Sequence, residues 1–128
     1  MRCVSRPICS VKINDFIITD TTGGFSTSLN RYTVSVAGTY QINACLRGIS
    51  TNTGQLAITL YKNGGVYQRG GEVTVSGSAS SQVIGSWFIT LAASDYIEVW
   101  GYVDGTLPKA DYIDPQTCCW MQGYYIGS

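Results

Sequence analysis

Few side chains here could do acid–base or metal chemistry. The 128 residues include eight Asp/Glu, eight Lys/Arg, five cysteines and no histidine. Without imidazole, serine-type triads, most zinc sites and most general-base chemistry near neutral pH lose their usual group. Acid–base work would fall to Asp, Glu, Lys or Tyr. The carboxylates form no motif: Asp15 and Asp20, Asp95 and Glu98, and Asp111 and Asp114 stand near strand ends and loops. Each is expected to be a solvated or turn-forming group, since Asp routinely caps turns. The cysteines, Cys3, Cys9, Cys45, Cys118 and Cys119, contain no C-x-x-C pair of the kind zinc clusters use. Neighbouring Cys118 and Cys119 on a strand would point to opposite faces. Small buried hydrophobes in a reducing compartment is the expected state, with a structural disulfide within or between chains as the alternative. No nucleophile–base pair, phosphate loop or metal cluster emerges. No catalytic residue, metal ligand or cofactor is therefore expected, and the chain reads as a non-enzyme.

Partner classes narrow for the same reason. Net charge is zero and only 12% of residues are charged. That gives no electrostatic ground for nucleic acid or anionic membrane as a partner, and it favours self-association. The N-terminal "MRCVSRPICSVKIND" has no apolar stretch of signal-peptide length, and no run approaches the roughly 18 apolar residues of a membrane span. A soluble, unexported chain without membrane insertion is expected.

The elements that must position these side chains read as strands. Nearly every segment has period two. Tyr40, Ile42, Ala44 and Leu46 share one parity against Gln41, Asn43, Cys45 and Arg47, and "RYTVSV" places Tyr32, Val34 and Val36 together. "QLAITLYKN", "QVIGSWFITL" and "DYIEVWGYV" follow, separated by Gly-, Ser-, Asn- and Thr-rich turns, with Asn63-Gly64 as the strongest hairpin signal. An all-β sandwich or jelly roll is the expected class. Residues 1–10 lack alternation and contain Pro7; they read as an extended N-terminal arm before a domain over 11–128. Two strands are apolar on both faces. Ile97, Val99 and Val103 oppose Tyr96, Trp100 and Tyr102, with Glu98 among the latter, while Trp120, Tyr124 and Ile126 oppose Met121 and Tyr125. A sandwich strand needs one core face, so the second needs a loop, a ligand or another chain over it.

The order of motifs carries a resemblance. "RYTVSVAGTYQINACL" resembles the F-T-V-P-x-x-G-x-Y-x-F signature of the complement component 1q and tumour-necrosis-factor-like jelly-roll family. "LAITLYKNG" looks like its next strand and hairpin, "ITLAASDYIEVWGYVDG" like its L-x-x-G-D-x-V-x-L strand, and "CWMQGYYIGS" like its closing strand. The match spans Arg31 to Ser128 in the family's order, with Ser35 at the usual proline and Ser94 at the usual glycine. The resemblance implies a ten-stranded, two-sheet jelly roll assembled as a homotrimer. It implies that the strands of "TYQINACLRG", "DYIEVWGY" and "WMQGYYIG" share the sheet lining the three-fold axis. The interface set would then be Gln41, Asn43, Cys45, Arg47, Tyr96, Glu98, Trp100, Tyr102, Trp120 and Tyr124.

Family members bind and assemble; they do not catalyse. Domains of this kind without signal or Gly-X-Y stalk resemble those on tailed bacterial viruses. The expected function is a trimeric capsid-decoration or head-fibre protein, located on the virion after assembly in the host cytoplasm. Its arm (Arg2, Cys3, Arg6, Pro7 and Cys9) would attach it to capsid or tail proteins. The alternative is a receptor- or carbohydrate-binding fibre tip, with Tyr67, Trp87 and Tyr112 as rings for stacking on sugars. Some relatives hold calcium near the trimer apex. Asp104-Gly105 and the Asp111–Asp114 loop could supply oxygens, without the spacing of a dedicated calcium loop.

Overall fold

The computed structural model describes residues 8–12, 17–18, 24–26, 28–29, 31–49, 54–75, 80–104 and 120–127. The described elements are strands: β1 (Ile8–Lys12), β2 (Ile17–Ile18), β3 (Phe25–Ser26), β4 (Arg31–Thr33), β5 (Gly38–Ile49), β6 (Gly54–Lys62), β7 (Gly65–Val75), β8 (Ser80–Leu91), β9 (Tyr96–Asp104) and β10 (Trp120–Gly127). Eight of these are three residues or longer; β2 and β3 are two-residue pairings. They form two sheets, antiparallel apart from the short β2–β10 pair. One sheet runs β3-β4-β9-β6-β7, with β1 also on β9; the other runs β2-β10-β5-β8.

Alternation explains why these segments are strands and which faces they bury. Tyr40, Ile42, Ala44 and Leu46 of β5 meet Leu56, Ile58 and Leu60 of β6, and Ile97 and Val99 of β9, in one core between the sheets. Val83, Trp87, Ile89 and Leu91 of β8 and Met121 of β10 complete it. The Tyr40 hydroxyl donates to the Val36 carbonyl at 2.7 Å, and burial raises its pKa above the ordinary tyrosine value. The β6–β7 hairpin turns on Asn63 (φ 50°) and Gly64 (φ 86°), the left-handed pair expected from Asn-Gly. On the open side of the sandwich, β7 closes against β8. A Cβ on Gly70 would lie 2.9 Å from the Gly85 Cα, and one on Gly85 would land on the Trp87 ring. Three side chains or backbones meet the outer edge of β8. Tyr67 Oη donates to the Phe88 carbonyl at 3.0 Å, Lys62 Nζ donates to the Thr90 carbonyl at 3.3 Å, and Gly71 crowds the Ile84 carbonyl. The edge is thereby covered.

Three sequence expectations need correction. The alternation of "RYTVSV" does not continue as a strand: β4 ends at Thr33, Val34 enters the core, and Val36 is exposed in a bend. Val34 N–H donates to the Asp95 carbonyl, and Ser94 N–H donates to the Val34 carbonyl. This exchange holds the crossing from one sheet to the other, which an uninterrupted strand could not make. Second, the boundary between arm and domain at residues 10/11 falls inside β1, which pairs with β9 from Ile8↔Asp104 to Lys12↔Trp100. Cys9 thus stands in a sheet, opposite Val103. Arg2, Cys3, Arg6 and Pro7 lie outside the described residues. Third, "DYIEVWGY" does not share a sheet with "TYQINACLRG" and "WMQGYYIG". β9 is central in the larger sheet, while β5 and β10 are neighbours in the smaller one.

Asp95 ties three turns together. Its carboxylate accepts from Asn63 Nδ2 and from the Ala92 N–H, both at 2.8 Å, and Lys62 Nζ lies 3.6 Å away. Asn63 in turn accepts from the Tyr96 N–H and donates its own N–H to the Tyr96 carbonyl. The Asn63 and Ala92 hydrogen bonds hold the Asp95 pKa below the ordinary 3.8. A depressed folded pKa means a contribution fully present above the unfolded value and lost as pH falls through the folded one. Asp95→Asn should therefore melt below wild type at pH 7, and the gap should close on acidification below about pH 4. A gap that did not shrink at all as the pH fell below about 4 would show that the carboxylate charge is not what holds the turns.

Candidate assembly surfaces

The outward face of the smaller sheet is set by register. Cys45 lies between Trp120 and Ile84, Asn43 between Gln122 and Ser86, and Gln41 between Tyr124 and Phe88. Residues directly opposite in antiparallel strands point to the same face, so these nine side chains form three rows across β10, β5 and β8. None of the nine is charged. Phe88, Ile84 and Tyr124 are 63%, 58% and 55% exposed. Asn43 Oδ1 accepts from Ser86 Oγ at 2.7 Å, which fixes the middle row as polar. Cys45 is fully buried despite its outward position, and Gln82 Nε2 donates to its sulfur. The sequence-predicted residues Gln41, Asn43, Cys45, Trp120 and Tyr124 are thus brought together on one face. Arg47 stands further along the same strand, opposite Gln82.

The other four members of the predicted interface set, Tyr96, Glu98, Trp100 and Tyr102, lie on the outward face of the opposite sheet. There they are already engaged. Arg31 Nη2 meets Glu98 Oε2 at 3.1 Å, and Trp100 Nε1 donates to Glu98 Oε1 at 3.3 Å. The Arg31 guanidinium covers the Tyr96 ring at 3.8 Å, and Arg69 covers Tyr102 at 4.4 Å while pairing with Glu72 at 2.9 Å. Tyr61 stacks on Trp100 with centroids 4.8 Å apart. Glu98 is only 4% exposed, so it is no solvated carboxylate; a guanidinium and an indole N–H supply what water would. The Thr59 hydroxyl, beneath this layer and cross-strand from Trp100 and Arg69, is buried without a hydrogen-bond partner. The second apolar face of β9 is thus covered by neighbouring side chains of its own sheet.

Of the candidate sugar-stacking rings, the two among the described residues, Tyr67 and Trp87, do not form one stacking surface. Trp87 is in the core at 3% exposure, its ring over Gly85, and is no loop-tip aromatic. Tyr67 is exposed on β7 with its hydroxyl held by the β8 backbone, and Tyr112 lies outside the described residues. Asp111 and Asp114 also lie outside them, as do Cys118 and Cys119. Among the described residues no three His, Cys, Asp or Glu side chains are placed to hold a metal, and no helix is long and apolar enough to cross a membrane.

Sequence reasoning missed Ile84 and Phe88 on the first surface, and Arg31, Tyr61 and Arg69 on the second. In "QVIGSWFITL" Val83, Gly85, Trp87, Ile89 and Leu91 share a wholly apolar parity, while Ile84 and Phe88 share theirs with Gln82, Ser86 and Thr90, so period two was the available signal that sends Ile84 and Phe88 outward. Gly85, whose missing Cβ makes room for Trp87 on the inner parity, agrees with it.

No protein-family model matches the chain, and no curated protein matches it in sequence. Among solved structures, it is similar to murine APRIL, a jelly-roll protein of the tumour-necrosis-factor family, in two crystal structures at different pH. At pH 8.5 the identity is 15% and the TM-score 0.47, over 73% of this chain and 68% of that one. At pH 5.0 the values are 14% and 0.43, over 59% and 72%. These figures describe a distant likeness of fold and nothing finer.

Proposed function

We propose that this chain is a non-enzymatic assembly module that self-associates as a homotrimer of ten-stranded jelly rolls. The surface it uses is the outward face of β10, β5 and β8. The observation that carries the reading is that face itself: an uncharged field with Ile84, Phe88 and Tyr124 each more than half exposed, on a chain of zero net charge. Large apolar side chains gathered on one face favour burial, at roughly 25 cal/mol per Å² removed from water. No charge repulsion opposes a second copy.

The viral setting rests on the sequence resemblance alone. In it the trimer decorates a capsid or heads a short fibre of a bacterial virus, assembled in the host cytoplasm. Its N-terminal arm attaches it to capsid or tail proteins. The receptor- or glycan-binding reading loses Trp87 to the core, which weakens it against assembly. Light scattering on the purified chain tests self-association directly. A mass of three chains is expected, and a monomer at the highest soluble concentration would sink the reading.

A further inference from the structure

Ala57 and Thr59 stand on the outward parity of β6, yet they are only 0% and 3% exposed. Register shows what walls them in. On β9, Tyr102 lies opposite Ala57 and Trp100 opposite Thr59; on β7, Glu72 lies opposite Ala57 and Arg69 opposite Thr59. Two small side chains in line, between longer ones on both neighbouring strands, make a trough along β6. Arg69 roofs it. Its guanidinium lies 4.4 Å from the centre of the Tyr102 ring. Since β7 and β9 are two strand spacings apart, roughly 9–10 Å, the side chain must cross over β6 to reach it. A bulge sets this up: register shifts between Ala57 and Thr59, so Gly70 and Gly71 of β7 together stand against Ile58. The extra residue brings Arg69 and Glu72, three apart in sequence, onto one face as an ion pair at 2.9 Å. We infer that this trough is a binding site for a neutral saccharide unit, strapped shut by Arg69 in the free chain.

Three observations choose the ligand. The Thr59 hydroxyl is buried on the trough floor with no hydrogen-bond partner, and a buried polar group left so is costly. A purely apolar ligand would leave it unsatisfied; a ligand hydroxyl would satisfy it. The wall offers an aromatic face. Once Arg69 swings out, the ring face of Tyr102 that it covered is open to the C–H face of a sugar ring. The charges are balanced, Arg69 with Glu72 inside the trough and Arg31 with Glu98 beside it. An ionic ligand would break one of these pairs, so the occupant is neutral. Hydroxyls at the rim of an apolar face, with no charge, describe a pyranose. Opening is cheap, because the Arg69 and Glu72 side chains are 43% and 45% exposed and such pairs contribute little. The trough uses none of Tyr67, Trp87 and Tyr112. It lies on the sheet opposite the β10–β5–β8 face, and each copy carries it whole, so the inference does not rest on self-association.

Calorimetric titration of the full chain tests it, with cellotriose, maltotriose, mannotriose and chitotriose as neutral probes and trigalacturonic acid as the charged comparison. At least one neutral trisaccharide should bind, and the acid should not. Thr59→Val should weaken that binding about tenfold, the worth of one hydrogen bond to a buried group. It should melt no lower than wild type, because the hydroxyl it removes has no partner in the free chain. A merely structural hydroxyl would do the reverse, lowering the melting point and sparing the affinity. Arg69→Ala should bind severalfold more tightly, since no strap has to be displaced first. Phe88→Lys, on the opposite sheet, should bind as wild type does whatever its mass, which keeps this outcome apart from that of the assembly. The inference is overturned if no neutral probe binds at its solubility limit, or if the acid binds in preference. Thr59→Val with undiminished affinity, or Arg69→Ala with no gain, would overturn it equally.

Discussion

Gly85→Ala is expected to lower stability by about 3 kcal/mol, at the upper end of core overpacking. For a chain of 128 residues that is a fall in melting temperature of roughly 12 °C. The added methyl would land on the six-membered ring of Trp87, which lies folded over its own strand two residues away. The ring cannot simply swing aside. Gly70 of β7 lies against both Gly85 and the ring: a Cβ there would sit 2.8 Å from the indole, 2.9 Å from the Gly85 Cα and 3.0 Å from Ile58. Core interiors are close-packed and have no spare volume for a displaced indole. The test is a double-mutant cycle. Trp87→Leu alone removes ring volume and should cost about 2–4 kcal/mol through the cavity it leaves. In the Trp87→Leu background, however, Gly85→Ala should cost less than about 1 kcal/mol, a coupling of the size direct neighbours show. Urea denaturation of the four proteins measures it. Strict additivity would mean that the ring does not occupy the space over Gly85.

That seam shows where the sequence was legible and where it was not. Strand segments and the Asn63-Gly64 hairpin follow from local chemistry: alternation selects an extended backbone, and Asn-Gly accepts the two left-handed conformations the turn needs. Which face of β5 is core was equally plain, because Tyr40, Ile42, Ala44 and Leu46 share one parity. The layer to which a strand belongs is a different kind of fact. Parity says that Tyr96, Glu98, Trp100 and Tyr102 share a face; it says nothing about which strands lie beside them. β9 sits between β6 and the pair β4 and β1, contacts between segments far apart in sequence, so its four outward residues separate from those of β5 and β10. The burial of Glu98 was hidden for the same reason. Its partner Arg31 is 67 residues away, and nothing near Glu98 in sequence announces a cation.

The two members of that ion pair should respond unequally to removal, and the difference bears on what the β9 face is for. Arg31→Gln is expected to cost about 3 kcal/mol, the low end for breaking a buried pair, and Glu98→Gln only about 1 kcal/mol. The survivor decides the cost. Without Arg31, the Glu98 carboxylate, 4% exposed, loses its guanidinium in a place water scarcely reaches. Without the Glu98 charge, Arg31, 26% exposed, can turn to solvent and still lie over the Tyr96 ring, while the new amide oxygen can accept from Trp100 Nε1. Chemical denaturation of both variants at neutral pH measures the inequality, and equal or reversed losses would contradict the burial it is built on. Light scattering on the same samples adds the functional half. Because these side chains complete one another within a single copy, both substitutions should lower unfolding stability and leave the mass of the assembly unchanged. Phe88→Lys on the opposite sheet should do the reverse. If Glu98→Gln instead dispersed the assembly at full retained stability, the β9 face would belong to the subunit interface after all, and the β10–β5–β8 face would not account for self-association alone.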